Sequence, residues 1–131
     1  MTDPNEAVQF VTDTEVDAFA VAIGTAHGTY KGEPKLDFDR LKTIDGLVDT
    51  AIVLHGASGV PADSIKKAIS LGVRKINIDT ELRQAFTRGV QDVVSNKPAE
   101  YDPRKILGPA KEEMKAIIKE KMRLFGCSGK A

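Results

Sequence analysis

The chain has 131 residues, enough for one ordinary domain with a real core. Its 19 basic residues balance 19 acidic ones, so it lacks the electrostatic footprint of a protein that binds nucleic acid or an anionic membrane. No stretch is apolar for long enough to span a bilayer, and the opening residues do not read as a signal peptide. A single cysteine, Cys127, excludes an internal disulfide and fits a reducing cytoplasm.

In chain order, Asp3 to Thr14 reads as an amphipathic helix, with Asp3 as N-cap and Pro4 in the first turn. Val16 to Ile23 is a nearly continuous apolar run, as in a strand buried on both faces of a parallel sheet. Gly24 to Pro34 is loop by composition, and Asp37 to Leu47 is a helix. Ala51 to Leu54 is a second strand, and His55 to Val60 a second glycine-rich loop. A helix over Pro61 to Leu71 starts with Pro61 in its first turn and is closed by Gly72. Arg74 to Ile78 is the third strand, and Thr80 to Val94 a longer helix. Ser95 to Pro103 is a polar linker. Pro103 to Phe125 is a terminal helix in which Gly108-Pro109 is the candidate break.

Strand and helix alternate three times, with polar loops after each strand. That is the βαβ rhythm of a parallel α/β fold, which carries its chemistry on the loops that follow the strands. The rhythm alone does not choose between a barrel and a doubly wound sheet. Three units cannot close an eight-stranded barrel, so a barrel requires this chain to be a fragment or to pair with a partner.

The two histidines of the chain sit in matched settings, Ile23-Gly24-Thr25-Ala26-His27-Gly28 and Val53-Leu54-His55-Gly56-Ala57-Ser58-Gly59. Neutral imidazole is a common zinc ligand, and two of them on adjacent parallel strand ends can converge on one ion. The alternative is a pair of solvated loop histidines. The matched settings favour ligation, and no third ligand can be assigned.

Gly28, Gly56 and Gly59 allow close backbone approach, Ser58 adds a hydroxyl, and the loop leads into a helix N-terminus that favours negative charge. The loop is therefore either a phosphate cradle or an ordinary tight turn. Asn77-Ile78-Asp79-Thr80 runs from the third strand into the next helix, where Asp79 or Thr80 either caps the helix or joins a phosphate site. Lys31 can reach a phosphate or stay solvated, and Arg83 faces either the strand-end loops or solvent. The charged terminal helix, Lys111 to Arg123, reads as a solvated face, because acids interleave with its bases. Cys127 has no neighbouring histidine in sequence to activate it as a nucleophile.

Together, Ala22-Ile23-Gly24-Thr25-Ala26-His27-Gly28, Leu54-His55-Gly56-Ala57-Ser58-Gly59 and Lys75-Ile76-Asn77-Ile78-Asp79-Thr80-Glu81-Leu82-Arg83 resemble the class II, metal-dependent fructose-bisphosphate aldolases. Tyr101-Asp102-Pro103-Arg104-Lys105 and the closing Phe125-Gly126-Cys127-Ser128-Gly129-Lys130-Ala131 are similar to that family's C-terminus. The resemblance covers essentially the whole chain. It implies a (β/α)₈ TIM barrel about twice this length, of which residues 1–131 form a single partial domain, roughly the last three βα units and the C-terminal helix.

By the same resemblance His27 and His55 correspond to ligands of Zn²⁺ or another divalent metal. Gly28, Gly56, Ala57, Ser58, Asn77, Ile78, Asp79 and Thr80 correspond to the site for dihydroxyacetone phosphate, and Lys31 falls where some members place a lysine near substrate. The implied protein is a cytoplasmic, homo-oligomeric lyase of glycolysis acting on a sugar phosphate, with no nucleic-acid or membrane partner. The family's Asp-Ser-His-type segment, with its acid/base aspartate and a further zinc histidine, has no counterpart here. No catalytic proton-transfer residue is therefore assigned, and that group is expected in a missing N-terminal part.

Two rivals follow. A tagatose-bisphosphate aldolase shares both histidine motifs, although those relatives often carry Ala-Thr where this chain has Asp79-Thr80. A non-catalytic module that binds metal or sugar phosphate, active only with other chains, would also lack the acid/base segment.

Overall fold

The computed structural model describes residues 1–130. Only Ala131, the last residue of the C-terminal motif, lies outside them. The chain divides into two compact units, Met1–Ile78 and the residues from Asp79 onward.

The first unit opens with α1 (Pro4–Thr14), where the Asp3 carboxylate accepts hydrogen bonds from the Asn5 and Glu6 amides at 2.8 and 3.2 Å. Next come β1 (Ala18–Ala20), α2 (Phe38–Asp45), β2 (Ala51–Leu54), α3 (Ala62–Ser70) and β3 (Val73–Ile76). The strands form one parallel sheet in the order β1-β2-β3, with Phe19 opposite Ile52 and Leu54 opposite Ile76. In the central strand Ile52, Val53 and Leu54 are all buried, as expected of a strand covered on both faces. Leu41, Ile44, Ile65, Ala68 and Val73 complete this core.

β1 is shorter than the apolar run Val16–Ile23 suggests, and the reason lies in its backbone partners. Val21 still donates to Val53 O at 3.2 Å. Ala22, however, exchanges hydrogen bonds with the backbone and hydroxyl of Thr2, and Ile23 O accepts from the Asp37 amide at 2.8 Å. Val21 and Ile23 remain buried, so the hydrophobic run is real and only its ladder is diverted. β3 begins at Val73 and ends at Ile76, and the Asn77 amide adds one more bond, to Leu54 O at 3.0 Å. α2 stops at Asp45, two residues before Leu47, which is exposed. Pro61 is the residue before α3 instead of its first-turn residue.

The second unit is a helix pair, α4 (Thr80–Asn96) and α5 (Pro103–Leu124). Lys121 near the end of α5 pairs with Glu81 at the start of α4, and Ala110 near the start of α5 lies against Gly89. As one helix number rises the other falls, so the helices run antiparallel. α4 extends two residues into the expected linker. Asp102 caps α5 by accepting from the Arg104 amide at 2.9 Å, with Pro103 at the first turn. α5 does not break at Gly108-Pro109 but continues through them. Proline clashes with the Cβ of the residue before it, and Gly108 has none. No described helix is long and apolar enough to cross a membrane.

Candidate functional site

Parallel pairing puts the C-terminal ends of β1, β2 and β3 side by side, and the candidate residues of the first unit follow from those ends. His55 comes directly after β2, half-buried, and His27 lies on the loop after β1, exposed. Their rings approach edge to face, with centroids 5.6 Å apart and planes at 63°.

Gly56 explains how the loops come so close. Its φ is +64°, and a Cβ on it would stand 2.5 Å from Ala26 O and 2.7 Å from Ala26 C. The two histidine loops therefore touch backbone to backbone at the one residue type that permits both the conformation and the contact.

Tyr30 ties the same loops together by hydrogen bonds. Its hydroxyl accepts from the Ala26 amide at 2.7 Å and donates to Gly56 O at 2.8 Å. Sequence reasoning missed this residue; the signal it offered was an aromatic inside an otherwise polar, glycine-rich loop, and the structure shows it half-buried.

At the end of β3, Asn77 lies beside His55. Its amide nitrogen is 3.1 Å from His55 Nε2 and 3.4 Å from Nδ1. Nearly equal distances place the amide beside the Cε1 edge or over the ring, so it lies along neither nitrogen's lone pair. Lys75, two residues earlier on β3, donates from Nζ to Asn77 Oδ1. The cation thus holds the amide carbonyl, leaving the NH₂ toward the imidazole. Lys75 stands in the family-like segment but was given no role from sequence; the period of two puts it on the face of Asn77.

The loop after His55 is the candidate anion site. Ala57 and Ser58 are buried, Ser58 at 7% exposure, and Gly59 has φ +81°. A turn from Val60 N to Ala57 O at 3.2 Å leads into α3. Gly28 has φ +94° with open space where a side chain would be, and Lys31 is exposed on the same loop. Ile78, half-buried, ends the first unit. Asp79 and Thr80 belong to the second. Asp79 occupies the N-cap position of α4 without a side-chain capping bond. Its carboxylate instead takes Arg83 Nε at 2.7 Å, in an exposed ion pair.

The histidine pair is compatible with a shared divalent ion. Zinc-bound imidazole places its ring centroid roughly 3.2 Å from the ion, so two rings at tetrahedral to trigonal angles stand about 5.2–5.5 Å apart. The observed separation of 5.6 Å lies just above the upper end of that range. Among the described residues no group of three or more His, Cys, Asp or Glu side chains gathers to complete a metal site.

Parallel strands with polar loops at their C-terminal ends place this chain among the α/β proteins that build ligand sites at that end of the sheet. The family model described as "Fructose-bisphosphate aldolase class-II" matches residues 1–130, and the chain belongs to that family. It is 48% identical over 129 residues to a fructose-bisphosphate aldolase of Geobacillus stearothermophilus, covering 98% of this chain and 45% of the relative. It is 47% identical over 131 residues to a sulfofructosephosphate aldolase of Alkalicoccus urumqiensis, covering 100% and 46%. Among solved structures, the YdjI aldolase from Escherichia coli K12 superposes with a TM-score of 0.83 at 40% identity, covering 99% of this chain and 46% of that one. The fructose-bisphosphate aldolase of Campylobacter jejuni gives 0.81 at 26% identity, covering 96% and 45%. The chain spans about half the length of the curated relatives it matches.

Proposed function

We propose that this chain supplies the metal- and phosphate-binding part of a zinc-dependent aldolase that reversibly cleaves fructose 1,6-bisphosphate to dihydroxyacetone phosphate and glyceraldehyde 3-phosphate. The observation that carries the reading is the edge-to-face pair His27–His55 at adjacent parallel strand ends. In this reading the strands are the last three of a (β/α)₈ barrel, residues 1–131 are one partial domain of it, and the remaining strands come from polypeptide outside these residues.

His27 and His55 would hold the ion. When bound, it supplies a Lewis acid that polarises the ketose carbonyl. Lys75 holds the Asn77 carbonyl, which keeps the Asn77 NH₂ packed beside the His55 ring. Gly28 leaves room for a substrate atom against the backbone, and Lys31 adds a mobile cation from the same loop. Gly56, Ala57 and Ser58, with the amides at the start of α3, take the ketose phosphate. Asn77, Ile78, Asp79 and Thr80 belong to the substrate-binding set through the family resemblance. Holding the phosphate fixes the carbonyl over the histidine pair. None of these residues is a proton-transfer group for the carbon–carbon bond; that group is supplied from outside this chain.

The names of the curated relatives share a phosphorylated ketose, and Asp79 before Thr80 favours the fructose bisphosphate over the tagatose isomer. A lone cysteine supports a reducing, cytoplasmic setting, and a homo-oligomer is the assembly we assign.

The test is His27→Ala and His55→Ala in the intact protein, with metal content and cleavage of fructose 1,6-bisphosphate measured together. Each variant is expected to lose bound metal and turnover. Turnover that persists after chelation, or in both variants, overturns the reading.

A further inference from the structure

We infer that Tyr30 is the positioning residue that sets the span between the two metal-binding histidines, so that its hydroxyl governs metal affinity without touching the metal. The inference rests on the histidine reading above.

The phenol oxygen is shared by two backbone groups, each adjacent to a histidine. It accepts from the amide of Ala26, the residue before His27, and donates to the carbonyl of Gly56, the residue after His55. The donor and acceptor roles are fixed by chemistry: an amide can only donate and a carbonyl can only accept, so one hydroxyl satisfies both. Gly56 is buried, and its carbonyl would lose this donor if the hydroxyl were removed.

His27 follows β1 by several residues of loop, whereas His55 is anchored directly at the end of β2. The histidine farther along the chain from its strand is therefore the one that needs a brace. The Gly56–Ala26 contact stops the loops from moving closer, and the hydroxyl bridge stops them from moving apart. Together they set the backbone span on which the 5.6 Å ring separation rests, close to that of a shared ion. The Tyr30 ring also lies over Gly59, with Cδ2 3.4 Å from where a Cβ on Gly59 would stand. The aromatic body is thus held by the anion loop while its hydroxyl holds the histidine loops.

Partners that orient metal ligands typically account for about 10- to 100-fold in affinity. The experiment compares the intact wild-type protein with Tyr30→Phe and His27→Ala. Zn²⁺ affinity is read by competition with a chelating dye, the Co²⁺ form by its visible absorption, and the metal-free proteins by melting temperature. Phenylalanine keeps the ring and removes only the bridge. Tyr30→Phe is expected to weaken Zn²⁺ binding about 10- to 100-fold and to alter the Co²⁺ spectrum at saturation, with the metal-free melting temperature little changed. Affinity within twofold of wild type in Tyr30→Phe, while His27→Ala is weakened, overturns the role of Tyr30 and leaves the metal reading standing. A lowered melting temperature with unchanged affinity overturns it equally, as a purely structural tie. Wild-type affinity in His27→Ala overturns both.

Discussion

Gly89 of α4 and Ala110 of α5 meet without room for a methyl group between them: a Cβ on Gly89 would lie 2.9 Å from Ala110 N and 3.1 Å from Ala110 Cβ. Both residues are buried, and the obstruction is backbone, which cannot rotate away. Gly89→Ala should therefore destabilise the helix pair by about 1–3 kcal/mol through overpacking, despite the better helix propensity of alanine. Thermal denaturation checks the prediction. A melting temperature at or above that of wild type would show that propensity, not packing, decides at Gly89.

That close approach also shows what the sequence could and could not disclose. Ala51–Leu54 is predicted to the residue, because a short apolar run between turn signals has few other fates. The cap at Asp3 and the parallel order of three strands were legible for similar local reasons. The continuity of α5 through Pro109 was not. Gly108 relieves the steric clash with the proline ring, a local stereochemical detail that the usual Gly-Pro break signal overrides. The diversion of β1 at Ala22 depends on Thr2, twenty residues away. In the site, the histidines and glycines announced themselves by type and spacing. Tyr30 and Lys75 act on other side chains and backbones, and such roles depend on partners distant in sequence or on strand register and not on residue type.

Asp37 links the N-terminus of α2 to the start of the chain. Its carboxylate caps the Arg40 amide and pairs with the guanidinium at 3.0 Å, while Arg40 Nη1 donates to Thr2 O. The Arg40 backbone N–H first, and its side chain second, hold the Asp37 carboxyl below its ordinary 3.8. A carboxyl depressed in the folded state stabilises the fold fully above its unfolded pKa and ceases to do so as pH falls through the folded value. The melting temperature should accordingly fall as pH drops below about 4, with part of that fall due to Asp37. Asp37→Asn should lower the melting temperature near neutrality and flatten its acid dependence. Parallel profiles for wild type and variant would remove Asp37 from the account.

Ser58 is the buried polar side chain of the loop that follows His55. If the hydroxyl is a phosphate donor, Ser58→Ala in the intact protein should weaken binding of the phosphorylated ketose by about 0.5–1.5 kcal/mol, and more if the phosphate is fully desolvated. Metal affinity should stay at the wild-type value, because no atom of Ser58 belongs to the histidine bridge. Measured by the Michaelis constant and by inorganic phosphate competition, an unchanged profile would assign Ser58 to the loop's own structure.

Two imidazoles are fewer protein ligands than a catalytic zinc takes, and no third donor joins them among the described residues. β1 pairs only with β2, and its Ala18 and Ala20 side chains are exposed. A polypeptide of these 131 residues alone should therefore bind Zn²⁺ weakly and show no measurable aldol cleavage. Its β1 edge and exposed alanine face should promote self-association, visible as concentration-dependent light scattering. Co-expression with the remaining half of an aldolase barrel should raise zinc affinity, restore turnover and suppress the scattering, because it supplies the third ligand, the proton-transfer group and the neighbouring strand. Robust cleavage by the 131 residues alone would require a proton-transfer residue within them, and the division of labour proposed above would fall.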